Sequence, residues 1–236
     1  MIRTRAETGS TNADLAAALN AGEPLLEGDW LVADRQVAGK GRQGRAWFDG
    51  AGNFMGSTIV CLSPGDPPAP SLALVAALAV HEAVSTRLPP PHRALLKWPN
   101  DVLVGAAKLA GILMERVGDS VVIGIGVNLA AAPQVPGRDT VALSAYAPAP
   151  DRDAFAADLA RLFAAELHRW RCYGLGPLTQ RWQAAAHPLG TPLAVGEPGQ
   201  EALRGTFAGL ADDGALLLRL ADGSSRAIHA GEINLA

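Results

Sequence analysis

Leu95-Leu96-Lys97-Trp98-Pro99-Asn100-Asp101-Val102-Leu103-Val104-Gly105-Ala106-Ala107-Lys108-Leu109-Ala110-Gly111-Ile112-Leu113-Met114-Glu115, followed after Gly118-Asp119 by Val121-Val122-Ile123-Gly124-Ile125-Gly126-Val127-Asn128, decides the architecture of this chain. Each apolar run is too short for a helix, and each is bounded by proline, glycine, asparagine or aspartate. Short strands joined by tight turns form an antiparallel meander. A doubly wound parallel sheet would need a long crossover between successive strands. Lys97 and Lys108 flank these apolar strands. A lysine so placed either snorkels outward or points into a site that uses its charge. Gly111, Gly124 and Gly126 predict bulges or a close approach of a ligand to the backbone. Asn128, at a strand end, is either a turn residue or a ligand contact.

Upstream, the strand Trp30-Leu31-Val32-Ala33 delivers the chain into Asp34-Arg35-Gln36-Val37-Ala38-Gly39-Lys40-Gly41-Arg42-Gln43-Gly44-Arg45-Ala46-Trp47, and Asn53–Cys61 forms the next strand. Permissive glycines alternate with Lys40, Arg42 and Arg45, so the segment can wrap an anion with backbone N–H groups and clamp it with guanidinium forks. The plain alternative is a solvated surface loop. Its glycine content predicts disorder that resolves on binding. Gly39-Lys40-Gly41-Arg42-Gln43-Gly44 spells a dinucleotide fingerprint, but glycine-rich sequence follows where a helix must open, and the next acidic residue, Asp66, lies in a proline-rich run. No phosphate-binding G-x-x-x-x-G-K-[ST] motif occurs. Ser10-Thr11-Asn12 precedes a helix that Gly22 ends, with Thr11-x-x-Asp14 resembling a capping box. The three polar residues either cap that helix or form a compact site for a polar ligand group.

Downstream of the loop, Ser71–Leu88 reads as a largely apolar helix closed by Pro89-Pro90-Pro91, with His81 a structural residue on it. Residues 130–150 read as linker. Asp151–Tyr173 is a long amphipathic helix whose Phe155, Leu159, Leu162, Phe163 and Trp170 share a core face, and Pro177–Ala186 is a shorter one. Beyond His187-Pro188 short strands alternate with the hairpin signals Asp213-Gly214 and Asp222-Gly223. The expectation is a larger unit over residues 1–187 and a compact β-barrel over 188–236.

Composition sets bounds on function. The 236 residues are 49% hydrophobic with a formal net charge of −3, which suits a folded core and argues against a broad nucleic-acid-binding face. A local cationic cluster on such a chain points to a small phosphate-bearing ligand. Cys61 and Cys172 are far apart and read as half-buried thiols of a reducing compartment. Met1-Ile2-Arg3-Thr4-Arg5 leads into no apolar signal segment, and the longest apolar run, Leu72–Val80, is about half a membrane span. The expected setting is the cytoplasm. No protein-only metal cluster and no Ser/His or Cys/His catalytic arrangement is visible.

Taken in order, Ser10-Thr11-Asn12, Gln36-x-x-Gly39-Lys40-Gly41-Arg42-x-Gly44-Arg45-x-Trp47, Lys97-Trp98-Pro99-Asn100-Asp101, Lys108–Glu115, Gly124–Asn128 and Gly231-Glu232-Ile233-Asn234-Leu235 resemble the motifs of the biotin protein ligases. The resemblance runs from Ser10 to the end of the chain. It implies an α+β fold similar to the class II aminoacyl-tRNA synthetase core, a mixed and largely antiparallel sheet flanked by helices, followed by an SH3-like barrel. It implies ATP and Mg²⁺ as cofactors, biotin as substrate, biotinyl-5′-AMP as intermediate and a biotin carboxyl carrier domain as acceptor. Matching positions make Lys108 and Arg42 catalytic. Ser10, Thr11, Asn12, Gln36, Gly39, Lys40, Gly41, Arg42, Lys108 and Gly111 fall to biotin, and Arg42, Arg45, Trp47, Asn100, Lys108 and Asn128 to ATP and the adenylate. Mg²⁺ would arrive with ATP near Asn128. Lys97 and Asp101 shape the site, with the part of Asp101 in deprotonating the acceptor lysine left open.

Two departures follow. Lys40 stands where the family usually carries arginine, which keeps the charge and loses the planar fork. Some members carry a winged helix-turn-helix before the Ser-Thr-Asn motif, where this sequence has nine residues; the expectation is an enzyme without repressor function, with no nucleic-acid or membrane partner, and homodimer formation left open. A lipoate–protein ligase shares the fold and chemistry but has less use for Ser10-Thr11-Asn12 and Gln36. A non-catalytic nucleotide-binding module would leave Lys108 without a task.

Overall fold

The computed structural model describes residues 1–196 and 202–235. Seven strands make the larger sheet: β1 (Ile2–Thr8), β2 (Trp30–Gln36), β3 (Phe54–Cys61), β4 (Ala94–Lys97), β5 (Asp101–Val104), β6 (Ala107–Val117) and β7 (Ser120–Val127). Their order is β1-β2-β3-β7-β6-β5-β4. Every neighbouring pair is antiparallel except β1 with β2. The expected meander is therefore the β7-β6-β5-β4 half of the sheet. The fold is mixed α+β.

Period-two alternation sends Val121, Ile123, Ile125 and Val127 to one face and Val122, Gly124 and Gly126 to the other. The first set joins the main core with α2 (Leu72–Ser85), α3 (Arg152–Tyr173) and α4 (Leu175–Ala184). Phe155, Leu159, Leu162, Phe163 and Trp170 of α3 are all buried there. Asp151 caps α3 by accepting from Ala154 N at 2.8 Å, a contact worth about 1 kcal/mol. α4 begins at Leu175, ahead of the expected start, because Pro177 fits within a first helical turn. Opposite this core, α1 (Thr11–Asn20) packs Leu15 onto Leu31, Ile59 and Val122.

The remaining strands, β8 (Pro192–Gly196), β9 (Leu203–Leu210), β10 (Leu216–Arg219), β11 (Ser225–Ile228) and β12 (Glu232–Leu235), form a separate antiparallel sheet in the order β11-β10-β9-β8-β12. The two aspartate–glycine pairs make its hairpin turns, with Gly214 and Gly223 at φ 86° and 84°. Trp98 donates to the carbonyl of Gly214 at 3.2 Å and so ties this sheet to the larger one.

Two local expectations change, and β1 is a strand that the sequence pattern did not announce. β1 gives no hydrophobic signal because nearly every residue in it is exposed at the sheet edge. Ser10, rather than Thr11, is the N-cap of α1, accepting from Ala13 N at 3.4 Å, while Asp14 turns away to Arg5 and Thr8. Cys61 and Cys172 are exposed rather than half-buried: one ends β3, the other sits in the last turn of α3.

Candidate active site

The three strand glycines read in sequence as bulges or ligand approaches serve a third purpose. A Cβ at Gly124 would stand 2.3 Å from Asn12 Oδ1, and one at Gly126 would stand 2.2 Å from the Trp47 indole. At Gly111 it would meet Lys108 Nζ at 3.0 Å. The glycines thus lower the sheet floor so that the chain's own side chains can lie on it. The register break in this region falls at Val102/Leu103 instead. Over that floor opens a cavity of about 370 Å³ lined by residues of α1, the glycine-rich loop, β4 to β7 and β12. That is within the range of small-molecule sites.

One end of the cavity is polar and neutral. Ser10, Thr11, Asn12 and Gln36 are all buried. Thr11 N donates to Gln36 Oε1 at 2.7 Å. Ser57 donates to Asn12 Oδ1 at 2.6 Å and lies 2.7 Å from Thr11 Oγ1. Asn12 Nδ2 donates to Glu115 Oε2 at 2.7 Å.

The other end is charged. Lys108 Nζ lies 2.5 Å from Asp101 Oδ1 and 5.8 Å from the centre of the Trp47 ring. Arg42 donates to Asn100 Oδ1 and to the carbonyl of Gly231, each at 3.2 Å. Arg45 and Arg138 both reach Glu232 on β12. The Arg45 guanidinium, as donor and as charge, holds the Glu232 carboxyl below its usual range against the opposing effect of burial. Lys97 sits beside this group, and burial pushes its ammonium below the usual lysine range, with Arg138 and Lys108 adding to the effect while Asp101 and Glu232 oppose it. Next to it, burial and the Lys97 charge lower His187.

The glycine-rich loop folds back on itself. Trp47 N donates to Gly39 O at 2.8 Å and Gly41 N to Arg45 O at 2.7 Å, which closes it as a small hairpin. Gln43 and Gly44 turn the tip at φ 57° and 71°. Lys40 is exposed on its near side. Asn128 is buried; its Nδ2 donates to Val141 O, and its Oδ1 has no partner. The Trp47 Nε1 is likewise buried without one. Of the residues singled out in sequence, Ser10, Thr11, Asn12, Gln36, Lys40, Gly41, Arg42, Arg45, Trp47, Asn100, Lys108, Gly111 and Asn128 line this one cavity, while Gly39 sits behind it against Gln36.

Four lining or supporting residues carried no assigned role in sequence. Ser57 and Glu115 share the site face of their strands with Gly124, a parity that alternation from Ile59 and Val122 makes readable. Arg138 lay in a segment read as linker, and Glu232 in a terminal motif whose contact with the loop is a matter of tertiary structure alone. Among the described residues no group of three or more His, Cys, Asp or Glu could hold a metal ion.

Residues 10–128 match the model of the biotin/lipoate A/B protein ligase family, and residues 189–235 that of the biotin protein ligase C-terminal domain. A biotin–[acetyl-CoA-carboxylase] ligase of Paracoccus denitrificans is 40% identical over 230 residues, covering 91% of this chain and 92% of its own. The protein of that name from Mycobacterium tuberculosis is 37% identical over 238 residues, covering 97% and 86%. Among solved structures, a biotin protein ligase from Aquifex aeolicus in complex with biotin and ATP superposes with a TM-score of 0.85 at 24% identity, over 100% of this chain and 99% of that one. At that identity the likeness speaks to the fold.

Proposed function

We infer the activity of this chain from kinship and geometry together: it belongs to the biotin/lipoate A/B protein ligase family. It is an ATP-dependent ligase that activates biotin as biotinyl-5′-AMP and transfers it to a lysine of a biotin carboxyl carrier domain. A carboxylate oxygen of biotin attacks the α-phosphorus of ATP and expels pyrophosphate. The acceptor amine then attacks the acyl carbon, loses a proton, and AMP departs with the electron pair of the broken C–O bond.

The observation that carries this reading is the split character of one cavity. Its buried neutral end, with Thr11, Asn12 and Gln36, suits the uncharged N–H and C=O groups of a ureido ring. A dithiolane offers no hydrogen bond to the donors and acceptors that these residues do not already spend on one another, which costs about 1–3 kcal/mol for each one left buried and unpaired. Ser10, Gly41, Lys40 and Gly111 complete the biotin side, with Gly39 behind them against Gln36. At the charged end Lys108 bridges the biotin carboxylate and the α-phosphate and follows the charge through both steps. Arg42 and Arg45 offset charge on the phosphates, Asn100 orients Arg42, and Trp47 covers the adenylate. Asp101, 2.5 Å from Lys108, holds that ammonium in place until substrate competes for it.

The orphaned Asn128 Oδ1 fits a ligand of Mg²⁺ or of the ATP it accompanies. When bound, Mg²⁺ supplies charge neutralisation on the phosphates. Residues 1–187 are the catalytic unit, and 188–236 an SH3-like barrel whose β12 closes the site; the antiparallel order of its strands and the separate family match support that division. Two exposed free cysteines and the use of ATP favour the cytoplasm, and no helix among the described residues is long and apolar enough to cross a membrane.

The test is pyrophosphate release from ATP with biotin or with lipoate as the acid. Release with biotin alone is expected. Release with lipoate alone would move the activity to that acid, and release with neither would refute adenylation.

A further inference from the structure

We propose that Glu115 and Ser57 are positioning residues that set the hydrogen-bond polarity of the neutral end of the cavity, so that Thr11 Oγ1 meets the ligand as an acceptor. This rests on the biotin reading above. The inference comes from counting protons along a chain of contacts. Glu115 Oε2 can only accept, so the Asn12 amide must present Nδ2 to it, at 2.7 Å. That leaves Asn12 Oδ1 facing Ser57, and the Ser57 proton is committed there at 2.6 Å. Ser57 Oγ therefore accepts in its 2.7 Å contact with Thr11 Oγ1. Gln36 Oε1, the competing acceptor for the single Thr11 proton, is farther away at 3.1 Å and already takes Thr11 N–H at 2.7 Å.

Two consequences reach the ligand. Thr11, which lines the cavity, offers lone pairs and no proton. Gln36, its oxygen occupied, offers Nε2 as a donor. A cyclic urea needs that pairing, an acceptor for its N–H beside a donor for its C=O. Without Glu115 the Asn12 amide has two orientations of similar standing. In the reversed one Asn12 donates to Ser57 and Ser57 to Thr11, which spends a Thr11 lone pair on Ser57 and leaves the Thr11 proton to turn to Gln36 Oε1 at 3.1 Å or against the ligand N–H. Gly124 is what allows Asn12 to lie in this relay, because a Cβ there would clash with the amide oxygen at 2.3 Å.

Glu115 is exposed, so its substitution tests polarity with little effect on folding. Glu115→Gln retains an acceptor for Asn12, Glu115→Ala removes it, and Glu115→Lys presents donors only and forces the reversed relay. The expected order in KM for biotin is wild type close to Gln, then Ala about threefold to tenfold higher, then Lys higher still. KM for ATP, saturating kcat and the melting temperature stay within about twofold or a few degrees. Ser57→Ala, checked for folding by circular dichroism, behaves like Glu115→Ala. A merely structural role would not rank glutamine above alanine and alanine above lysine at a solvent-facing position. Equal biotin KM across the three variants, or KM for ATP moving in parallel, overturns the proposal. Titration calorimetry with biotin alone reads the same order as Kd, so the relay is judged separately from turnover: an enzyme that binds biotin in this order without adenylating it refutes the activity and keeps the relay.

Discussion

Glu232, on the last strand of the smaller sheet, grips Arg45 of the glycine-rich loop through two contacts of 2.9 and 2.5 Å. Arg138 reaches the same carboxylate. The glycine-rich loop is thus fastened to a separate sheet far away in sequence. Glu232→Gln removes the charge and leaves two guanidinium groups facing one neutral oxygen. Because the Arg45 side chain is 40% exposed, screening holds the loss to on the order of 1 kcal/mol. Amide exchange at Gly41 and Trp47, whose N–H groups close the loop, should accelerate severalfold while the core strands are unaffected. The Glu232 pKa is lowered in the fold, so the contact is fully present above the ordinary carboxylate range and is lost as pH falls through the lowered value. Loop protection corrected for intrinsic rates should hold from neutral pH down to that range and collapse below it.

Lys108→Ala should reduce pyrophosphate release by about 10²- to 10³-fold, the cost of removing one preorganised charge from a developing phosphate anion. Lys108→Arg should recover little of it. The 2.5 Å contact with Asp101 and the position over Trp47 leave a compact ammonium's space for a planar fork. Single-turnover kinetics with saturating biotin and ATP check this, and a mutant defect confined to KM would assign Lys108 to binding alone.

Gly126→Ala places a methyl 2.2 Å from the Trp47 indole, and Gly124→Ala one 2.3 Å from Asn12 Oδ1. Both substitutions fall on the same strand and face, yet their effects should separate. The first evicts Trp47 and should raise KM for ATP and alter near-ultraviolet circular dichroism. The second evicts Asn12 and should raise KM for biotin about tenfold or more with KM for ATP unchanged. Identical kinetic defects in the two variants would show that the cavity does not divide along the floor as described.

Much of this arrangement could be read from the chain alone, and the parts that could not share a cause. The meander was legible because apolar runs of strand length are punctuated by Pro99-Asn100, Gly105 and Gly118-Asp119. The long helix was legible because Phe155 to Trp170 repeat at its period. β1 was not, since an edge strand with both faces wet has no pattern to show. In the site, residues that carry distinctive chemistry were visible: the loop cations, Lys108, and the Thr11-Asn12 pair. Ser57, Arg138 and Glu232 were not, because each earns its place through a partner that only the fold supplies, 46 residues away in the case of Ser57 and Thr11. At Gly124 and Gly126 the close approach legible in the sequence is made by the chain's own Asn12 and Trp47.

His187 and His81 should make the fold sensitive to mild acid. Burial lowers the pKa of both, the Lys97 charge adds to the effect at His187, and at His81 the hydrogen bond to Ala94 O opposes it without cancelling it. Neither imidazole gains an acidic partner that outweighs its desolvation. A folded pKa below the unfolded value of about 6.5 means that above that pH both states are neutral and stability is complete. As pH falls from there through the lowered folded values, the unfolded chain binds protons first and stability is lost. The melting temperature should therefore decline between pH 6.5 and 5 more steeply than between 8 and 6.5. His187→Asn should flatten the acid limb, because its ring nitrogen Nε2 is buried without a partner and the substitution removes a titrating group at little packing cost. His81→Asn should flatten the limb too, but lower the whole curve by losing the 3.1 Å contact to Ala94 O. Melting curves of the three proteins from pH 8 to 5 distinguish these outcomes; an acid limb unchanged in both variants would place the sensitivity on carboxylates instead.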